Sequence, residues 1–178
     1  MPAHRQELER KIRKIRLVIF DVDGVLTDGR IVFDAAGTET KFFDVKDGHG
    51  IKLLMRAGIE TAIITARESK VVFHRAQDLG IALVYQGVKD KKLSLDDIAA
   101  KTGIALSEMA YMGDDIIDLP VLTRVGLSAT VADAVDEVRA MADFVSGKPG
   151  GRGAVRELVE LILKTQGRWD EVVRPYYV

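Results

Sequence analysis

Short apolar runs that alternate with segments of helical periodicity are the feature that most constrains how this chain can fold. Four such runs stand out, at residues 17–20, 61–65, 82–85 and 108–112. Each has the length and the apolar content of a strand that is buried on both faces. The segments between them carry apolar residues at helical spacing, at 50–57, 70–79 and 93–101. Alternating strands and helices predict an α/β fold, a Rossmann-like parallel sheet with helices on both faces.

Two weaker strands and two helices continue the alternation toward the C-terminus. The strands are predicted at 126–129 and 143–145, and the helices at about 134–141 and 152–166. Residues 29–44 interrupt the alternation, because they contain two β-prone segments around a turn. This segment directly follows the first strand, so we expect a small β-hairpin flap there in place of a cap domain.

The composition indicates one domain. The chain has 178 residues, of which 47% are hydrophobic, and this is enough for one buried core. Only 4 Pro are present and the 16 Gly are dispersed, so no linker is visible. We therefore predict a single domain over residues 1–178, with the flap at about 29–44 and a C-terminal tail at about 168–178.

Charge and cysteine content exclude several classes of function. Lys+Arg 26 against Asp+Glu 27 leaves a formal net charge of -1, so the overall charge attracts neither nucleic acid nor anionic lipid. The absence of Cys excludes disulfides, thiolate nucleophiles and thiolate-bound metals. No segment has the apolar pattern of a membrane span or of a signal peptide. We expect a cytoplasmic protein without nucleic-acid or membrane partners.

Acidic residues follow two of the predicted strands. Asp21 and Asp23 come directly after the first strand, and Asp114, Asp115 and Asp118 follow the fourth. In an open parallel sheet, ligands bind beyond the carboxyl ends of the strands, so we expect these side chains at one edge. Repulsion penalises the ionisation of neighbouring carboxylates unless a cation lies between them. A small number of carboxylate ligands suits magnesium, so the sequence predicts a Mg2+ site.

The other two strand ends carry groups that can hold an anion. Thr65 ends the second strand and offers a hydroxyl at a helix N-terminus. The third strand is followed by a lysine cluster, Lys89, Lys91 and Lys92. Carboxylates, a hydroxyl and an ammonium group at one sheet edge are the groups that phosphoryl transfer requires.

The positions of these residues suggest their roles in such a reaction. Asp21 is expected to be the nucleophile that forms an aspartyl phosphate, and Asp23 the general acid that later activates water. Thr65 and one of the lysines would hold the phosphate, and Asp114 would complete the magnesium site.

Four motifs in the chain resemble those of the haloacid dehalogenase superfamily of phosphatases. They are DVDGVLTDG after the first strand, the threonine of ITAR, the spacing of Gly87 and Lys91, and GDDIID. Within the superfamily, the chain is similar to the small subgroup that lacks a large cap domain. The resemblance covers residues 17–167 and departs from the pattern at Ala66, where Gly is expected.

The resemblance implies roles for individual residues. It selects Lys91 as the lysine that binds the phosphate. It also implies that the metal is bound by Asp21, by the main-chain carbonyl of Asp23 and by Asp114.

A further set of residues is implied to surround the site. Asp115 and Asp118 would orient the metal ligands or reach the metal through water. The residues implied to contact the substrate are Asp23, Asp44, Val45, Lys46, Asp47, Gly48, Lys52, Arg67, Arg75, Lys91 and Arg152.

The substrate that the resemblance implies is a small-molecule sugar-acid phosphate, the phosphate of an eight-carbon sugar acid used in lipopolysaccharide precursor synthesis. The same resemblance implies a homotetramer in which the region of Arg152 reaches a neighbouring active site. The flap favours self-association on physical grounds, because apolar side chains on a protruding hairpin are more stable against a second copy than in water. These side chains are Ile31, Val32, Phe33, Phe42 and Phe43.

Two other functions fit parts of the pattern. The substrate could be another sugar-acid phosphate, such as an acylneuraminate 9-phosphate. The chain could instead be a phospho-acceptor signalling domain, since such domains also use a parallel sheet with an aspartate, a threonine and a lysine. Asp23 argues against signalling, because a base placed to hydrolyse the aspartyl phosphate belongs to an enzyme that turns over.

Overall fold

The computed structural model describes residues 2–177, so residues 1 and 178 of the predicted domain lie outside the described part. Its strands are β1 (Leu17–Phe20), β2 (Val32–Phe33), β3 (Glu39–Thr40), β4 (Glu60–Ile64), β5 (Leu83–Tyr85), β6 (Met109–Met112), β7 (Leu127–Thr130) and β8 (Phe144–Val145). Six of them form a parallel sheet in the order β5-β4-β1-β6-β7-β8, and β2 pairs with β3 alone.

The centre of the sheet explains where the polar strand ends meet. β1 lies between β4 and β6, and its four residues, LVIF, are all buried. Phe20, the last residue of β1, is level with Ile63 of β4 and Met112 of β6. Because the three strands run in the same direction, the residues that follow them emerge together at one edge of the sheet.

Helices cover both faces of the sheet, as the sequence predicts. They are α1 (Pro2–Ile12), α2 (Val45–Arg56), α3 (Lys70–Leu79), α4 (Lys91–Thr102), α5 (Leu119–Leu122), α6 (Asp136–Met141), α7 (Ala154–Thr165) and α8 (Trp169–Val173). Parallel crossovers are right-handed, so the strand order puts α2 and α3 on one face and α4, α5 and α6 on the other. α7 packs against α2 and belongs to the first layer. None of the helices within residues 2–177 combines the length and apolarity that crossing a bilayer requires.

Helix α7 illustrates how apolar spacing fixes the packing. Its buried side chains include Val155, Leu158, Val159, Ile162 and Leu163, which repeat every three or four residues and so share one face. Burying a side chain of this size contributes roughly 1.5–3 kcal/mol. The face they form holds α7 against α2, the helix that follows the flap.

The predicted hairpin flap is confirmed, with shorter strands than the sequence suggests. β2 and β3 have two residues each and pair antiparallel. Asp34 closes the turn, since its Oδ1 accepts hydrogen bonds from the backbone N–H groups of Ala36 (2.9 Å) and Thr38 (2.7 Å). Four of the five apolar flap residues are exposed, namely Ile31, Val32, Phe33 and Phe42. Phe43 differs because it packs against the core below the guanidinium of Arg75.

The C-terminal tail folds back onto the domain. α8 is followed by a single 3-10 turn at Arg174–Tyr176. Trp169 lies under the cations of Arg156 and Lys164. Tyr176 contacts His49 of α2 edge to face, with ring centroids 5.3 Å apart.

Candidate active site

Three of the four polar strand ends converge on one cavity. It has a volume of about 230 Å³ and lies beyond the carboxyl ends of β1, β4 and β6. Its lining consists of Asp21, Asp23, Gly29, Thr65, Ala66, Arg67, Asp114, Asp115 and Ile117. The structure therefore brings together residues that the sequence separates by more than ninety positions.

Lys91 lies against the predicted nucleophile. It is the first residue of α4, and its buried Nζ is 2.8 Å from Asp21 Oδ2 and 2.6 Å from Asp118 Oδ1. Burial alone would lower the pKa of Lys91, but the two carboxylates outweigh it and raise this pKa. Lys89 and Lys92 are exposed. Of the three candidate lysines, Lys91 is thus the one that reaches the site.

Asp118 is more central than the sequence suggests. It is fully buried and accepts hydrogen bonds from Tyr111 Oη (2.5 Å) as well as from Lys91. Its Oδ2 accepts from the backbone N–H groups of Asp114 (3.0 Å) and Asp115 (3.2 Å). Both carboxylate oxygens of Asp118 therefore accept two hydrogen bonds from the protein. Through these bonds Asp118 orients Lys91 and the loop that carries Asp114.

Tyr111 is a site residue that the sequence reasoning missed. It lies in β6 and is completely buried, and its hydroxyl lies 3.2 Å from Lys91 Nζ. Burial and the neighbouring carboxylates raise the pKa of Tyr111 well above its ordinary value. One signal was available in the sequence, because a buried tyrosine needs a hydrogen-bond partner for its hydroxyl.

Asp21 and Asp114 form an electrostatically costly pair. Burial raises the pKa of Asp21 to about 6, and Asp118 acts in the same direction while Lys91 opposes it. Burial raises the pKa of Asp114 to about 8, with further contributions from Asp21 and Asp118. Two carboxylates in such a place favour a bound cation, which removes the repulsion between their ionised forms.

The same carboxylates fit a divalent cation geometrically. One oxygen each from Asp21, Asp114 and Asp118 lies within 4.8 Å of the others. Asp114 Oδ1 is buried and accepts no hydrogen bond from the residues described. Each oxygen of Asp118 already has two partners, whereas each oxygen of Asp21 has one, the N–H of Val22 (2.7 Å) or Lys91 (2.8 Å). Asp21 and Asp114 are therefore the two that keep lone pairs for a hard cation. The predicted contribution of the Asp23 main-chain carbonyl stays a prediction.

Glycines let three loops close around these carboxylates. Gly24 has φ +89°, and a Cβ there would lie 2.0 Å from Asp114 Oδ2. A Cβ on Gly150 would lie 1.8 Å from the carbonyl oxygen of Gly24. The loop before α7 therefore packs directly on the loop that carries Asp21 and Asp23.

Thr65 and Arg67 hold the second side of the cavity. Thr65 is buried, and its backbone N–H donates to the carbonyl of Tyr85 (2.9 Å). Arg67 is partly exposed, with Nε 3.6 Å from Asp23 Oδ2. Position 66 does not require the glycine expected there. Ala66 has a negative φ, as does every other non-glycine residue among those described.

A second cavity is lined by residues on either side of Gly29, which lines the first cavity. It has a volume of about 280 Å³ and is lined by Asp28, Arg30, Phe42, Phe43, Asp44, Gly151 and Arg152. Two predicted substrate residues, Asp44 and Arg152, therefore lie in it. Asp44 also caps α2, since its Oδ1 accepts from the backbone N–H of Lys46 (2.6 Å). The guanidinium of Arg152 is 3.8 Å from Asp28 Oδ2 and is largely exposed.

Other predicted substrate residues lie outside both cavities. Val45 and Lys46 are exposed on the first turn of α2, and Lys52 is half-buried further along this helix. Gly48 packs against Arg75, whose Nη1 binds Asp78 at 2.8 Å. A substrate contact by these residues stays a prediction. Asp115 lines the main cavity, but its Oδ1 also accepts from the N–H of Ile116 at 2.7 Å.

The structure gives Asp47 a capping role that the sequence does not indicate. Its buried carboxylate accepts hydrogen bonds from the backbone N–H groups of Gly153 (3.1 Å) and Arg156 (2.7 Å). These amides lie at the start of α7, where a helix leaves donors without partners. Burial raises the pKa of Asp47 despite these bonds. Asp47 thus caps α7 from α2, and its predicted contact with the substrate stays a prediction.

We expect Asp47→Ala to destabilise the protein. The two amides of α7 would lose their acceptor, and loss of such a cap costs about 1–2 kcal/mol. Chemical denaturation measures this difference. Asp47→Asn is the matched control, because its amide oxygen can still accept, and it should lose less. Equal stability of Asp47→Ala and wild type would contradict the capping role.

Comparison with known proteins adds a set of similar sequences and structures. A family model described as haloacid dehalogenase-like hydrolase matches residues 81–158. A 3-deoxy-D-manno-octulosonate 8-phosphate phosphatase from Salmonella typhi is 48% identical over 161 residues, which cover 90% of this chain and 86% of that protein.

Two crystal structures of phosphatases of that name superpose closely. The one from Yersinia pestis has a TM-score of 0.90 at 44% identity and covers 91% of this chain and 88% of its own. The one from Moraxella catarrhalis is a complex with a magnesium ion, a phosphate ion and a KDO molecule. It has a TM-score of 0.93 at 43% identity and covers 96% of this chain and 98% of its own.

Proposed function

This chain belongs to the haloacid dehalogenase superfamily, in the family of the 3-deoxy-D-manno-octulosonate 8-phosphate phosphatases, and we propose that it hydrolyses that sugar-acid phosphate. The observation that carries the proposal is 48% identity over 90% of the chain to a phosphatase of that name. The geometry supports the reaction type, because a carboxylate nucleophile, a second carboxylate and a buried lysine line or adjoin one cavity. The products would be the free sugar acid and inorganic phosphate.

The reaction proceeds in two steps on this chain's own residues. A carboxylate oxygen of Asp21 attacks phosphorus, and the bond from phosphorus to the ester oxygen breaks with its electron pair on that oxygen. Asp23 gives this oxygen its proton. Asp23, now ionised, takes a proton from water, whose oxygen attacks the phosphorus. The bond to Asp21 breaks, which releases phosphate and restores both aspartates.

Thr65 and Lys91 hold the phosphate oxygens during both steps. Thr65 is buried at the end of β4, and Lys91 is fixed by Asp118 and Tyr111. Charge-assisted hydrogen bonds of this kind bind most strongly where water is excluded. Asp118 acts through Lys91 and is a positioning residue.

We propose Mg2+ as the metal, held by Asp21 and Asp114 with the predicted main-chain oxygen of Asp23. A bound magnesium ion supplies charge that neutralises the phosphate oxygens in the transition state. The proposal rests on the unpartnered Asp114 Oδ1 and on the magnesium ion in the Moraxella catarrhalis complex.

Chelation should abolish activity, and Mg2+ should stabilise the protein more at pH 8 than at pH 6. The pKa of Asp114 is raised to about 8, above its value in the unfolded chain. Without metal, the protonated carboxyl of Asp114 favours the folded state. This contribution to the free energy of unfolding is lost as the pH rises from the pKa of the unfolded chain through about 8. Mg2+ must displace that proton at lower pH, so its effect on the melting temperature grows with pH. Asp114→Asn should lose this response, and a wild-type response in that variant would contradict the assignment.

Phosphate release from a panel of sugar-acid phosphates tests the substrate. We expect 3-deoxy-D-manno-octulosonate 8-phosphate to give the highest kcat/KM. A higher kcat/KM for an acylneuraminate 9-phosphate would show that the substrate is the phosphate of a nine-carbon sugar acid. A stable aspartyl phosphate without turnover on any ester would favour the signalling domain instead.

We propose that the protein is a homotetramer in the cytoplasm. The exposed apolar side chains of the flap support self-association, since four of them lie within one short hairpin segment and Phe42 also lines the second cavity. The exposure of Arg152 in the loop before α7 is compatible with its action in a neighbouring site. Sedimentation at micromolar concentration tests this, and a fully active monomer would contradict it.

Mixing two inactive variants tests the shared site. Asp21→Asn subunits keep their arginine, and Arg152→Ala subunits keep their nucleophile. Recovery of activity on mixing is expected if Arg152 acts across the interface. Absence of recovery in verified mixed oligomers would place Arg152 in its own subunit's site.

A further inference from the structure

The flap contributes a buried cation to the catalytic loop. Lys41 follows β3, and its side chain is only 1% exposed. Its ammonium group binds Asp23 Oδ1 and lies 3.4 Å from Glu39 Oε1. A lysine is rarely buried to this extent, and its charge is tolerated only where carboxylates compensate the lost hydration. The position of Lys41 therefore depends on Asp23 and Glu39.

Glu39 ties the same strand to the opposite side of the cavity. Its carboxylate accepts hydrogen bonds from Ser69 Oγ and from Arg67 Nη2, the latter at 3.3 Å. Ser69 lies at the start of α3 and is buried. The last strand of the flap is thus attached to the loop after β1 by Lys41 and to the loop after β4 by Glu39.

The two oxygens of Asp23 face different cations. Lys41 binds Oδ1 from the buried side, and Arg67 approaches Oδ2 at 3.6 Å from the partly exposed side. The side chain of Arg67 lines the cavity and is 44% exposed, whereas the side chain of Lys41 is enclosed by the protein. Lys41 is therefore the enclosed partner of Asp23, on the side away from the cavity.

We infer that Lys41 is a positioning residue for Asp23, through which the flap sets the orientation of the acid/base carboxylate. This inference rests on the proposed function, because it takes Asp23 as the proton donor. By binding Oδ1, Lys41 leaves Oδ2 as the oxygen that faces the cavity and exchanges the proton with the ester oxygen. A small misplacement of a catalytic group lowers rates strongly, so an unfixed Asp23 should protonate the leaving group poorly.

The test compares leaving groups in Lys41→Met. An alkyl phosphate needs a proton on its leaving oxygen, whereas p-nitrophenyl phosphate loses a stable phenolate without one. We expect kcat/KM to fall at least about tenfold more for the alkyl ester than for the aryl ester, because general acid catalysis is typically worth 10²–10⁴-fold. The value of kcat/KM is used because it reports the step in which the ester bond breaks.

Three controls separate positioning from a structural role. Ser69→Ala loosens the attachment of the flap through Glu39 but leaves Lys41 on Asp23, so the ratio of the two kcat/KM values should stay near that of wild type. In an Asp23→Asn background, Lys41→Met should add no further loss on the alkyl ester. Lys101→Met removes an exposed lysine of α4 and controls for the substitution itself.

The choice of probe keeps this test apart from the substrate assignment. The alkyl ester is 3-deoxy-D-manno-octulosonate 8-phosphate if wild type hydrolyses it. If wild type does not, the proposed substrate is wrong, and glycerol 3-phosphate replaces it in the same comparison. If Lys41→Met does not fold, Lys41→Gln takes its place.

Two results would overturn the inference. Equal losses on alkyl and aryl esters in Lys41→Met would indicate a general structural defect. The same leaving-group selectivity in Ser69→Ala would show that attachment of the flap, and not Lys41, orients Asp23.

Discussion

Replacing Asp21 by Asn will abolish phosphate release while the protein stays folded. An amide cannot form the aspartyl phosphate, so the first step of the proposed reaction has no substitute. Loss of a covalent nucleophile costs up to about 10⁶-fold in well-studied enzymes, and we expect a loss of at least about a thousandfold here. The fold should tolerate the change, because Asp118 still pairs with the buried Lys91.

Intact-protein mass spectrometry distinguishes this variant from Asp23→Asn. With an aryl phosphate, Asp23→Asn should still be phosphorylated at Asp21 and should accumulate the phosphorylated form, because water attack is slowed. Asp21→Asn should show no added phosphoryl group. A rate close to that of wild type in Asp21→Asn would refute the nucleophile assignment and with it the two-step mechanism.

Replacing Lys91 by Met will destabilise the protein as well as remove activity. Lys91 compensates the charge of two buried carboxylates, at 2.8 Å from Asp21 and 2.6 Å from Asp118. Removing one partner of a buried ion pair leaves an uncompensated charge and costs about 3–5 kcal/mol. Denaturant unfolding measures this loss, and the m-value shows whether the transition remains comparable.

The neighbouring lysine provides the matched control for this prediction. Lys92 is exposed in the same turn of α4, so Lys92→Met should leave the free energy of unfolding almost unchanged. A double variant with Lys91→Met and Asp118→Asn should recover part of the lost stability, because one of the two unpaired charges is gone. If Lys91→Met alone unfolds like wild type, the buried ion-pair network does not support the fold.

Several features could be predicted from the sequence for clear physical reasons. Alternation of buried strands and helices predicted the parallel sheet, which the structure and its similarity to solved phosphatase structures confirm. The predicted strands of the main sheet agree with the observed ones to within a residue or two at their ends. The convergence of Asp21, Thr65 and Asp114 followed from topology alone, since parallel strands deliver their carboxyl ends to one edge.

The contacts that the sequence did not reveal concern side chains whose partners are distant in the sequence. Asp47 is in a segment that the resemblance assigns to the substrate, yet its carboxylate caps a helix more than a hundred residues later. Nothing local marks it as a cap, because the acceptor and the start of α7 meet only when α2 and α7 pack. Tyr111 and Lys41 were overlooked for the same reason, since each has its partner on another element.

The sequence by itself determined which polar residues follow each strand. This is a local property, because apolar runs define the strands and the next residues are read directly. Only the tertiary structure decided how these groups are paired: Lys91 between Asp21 and Asp118, Lys41 on Asp23, and Asp47 on α7. The reason is physical, since burial makes an unpaired charge costly, and the identity of the partner depends on which side chains the packed fold brings within hydrogen-bond distance.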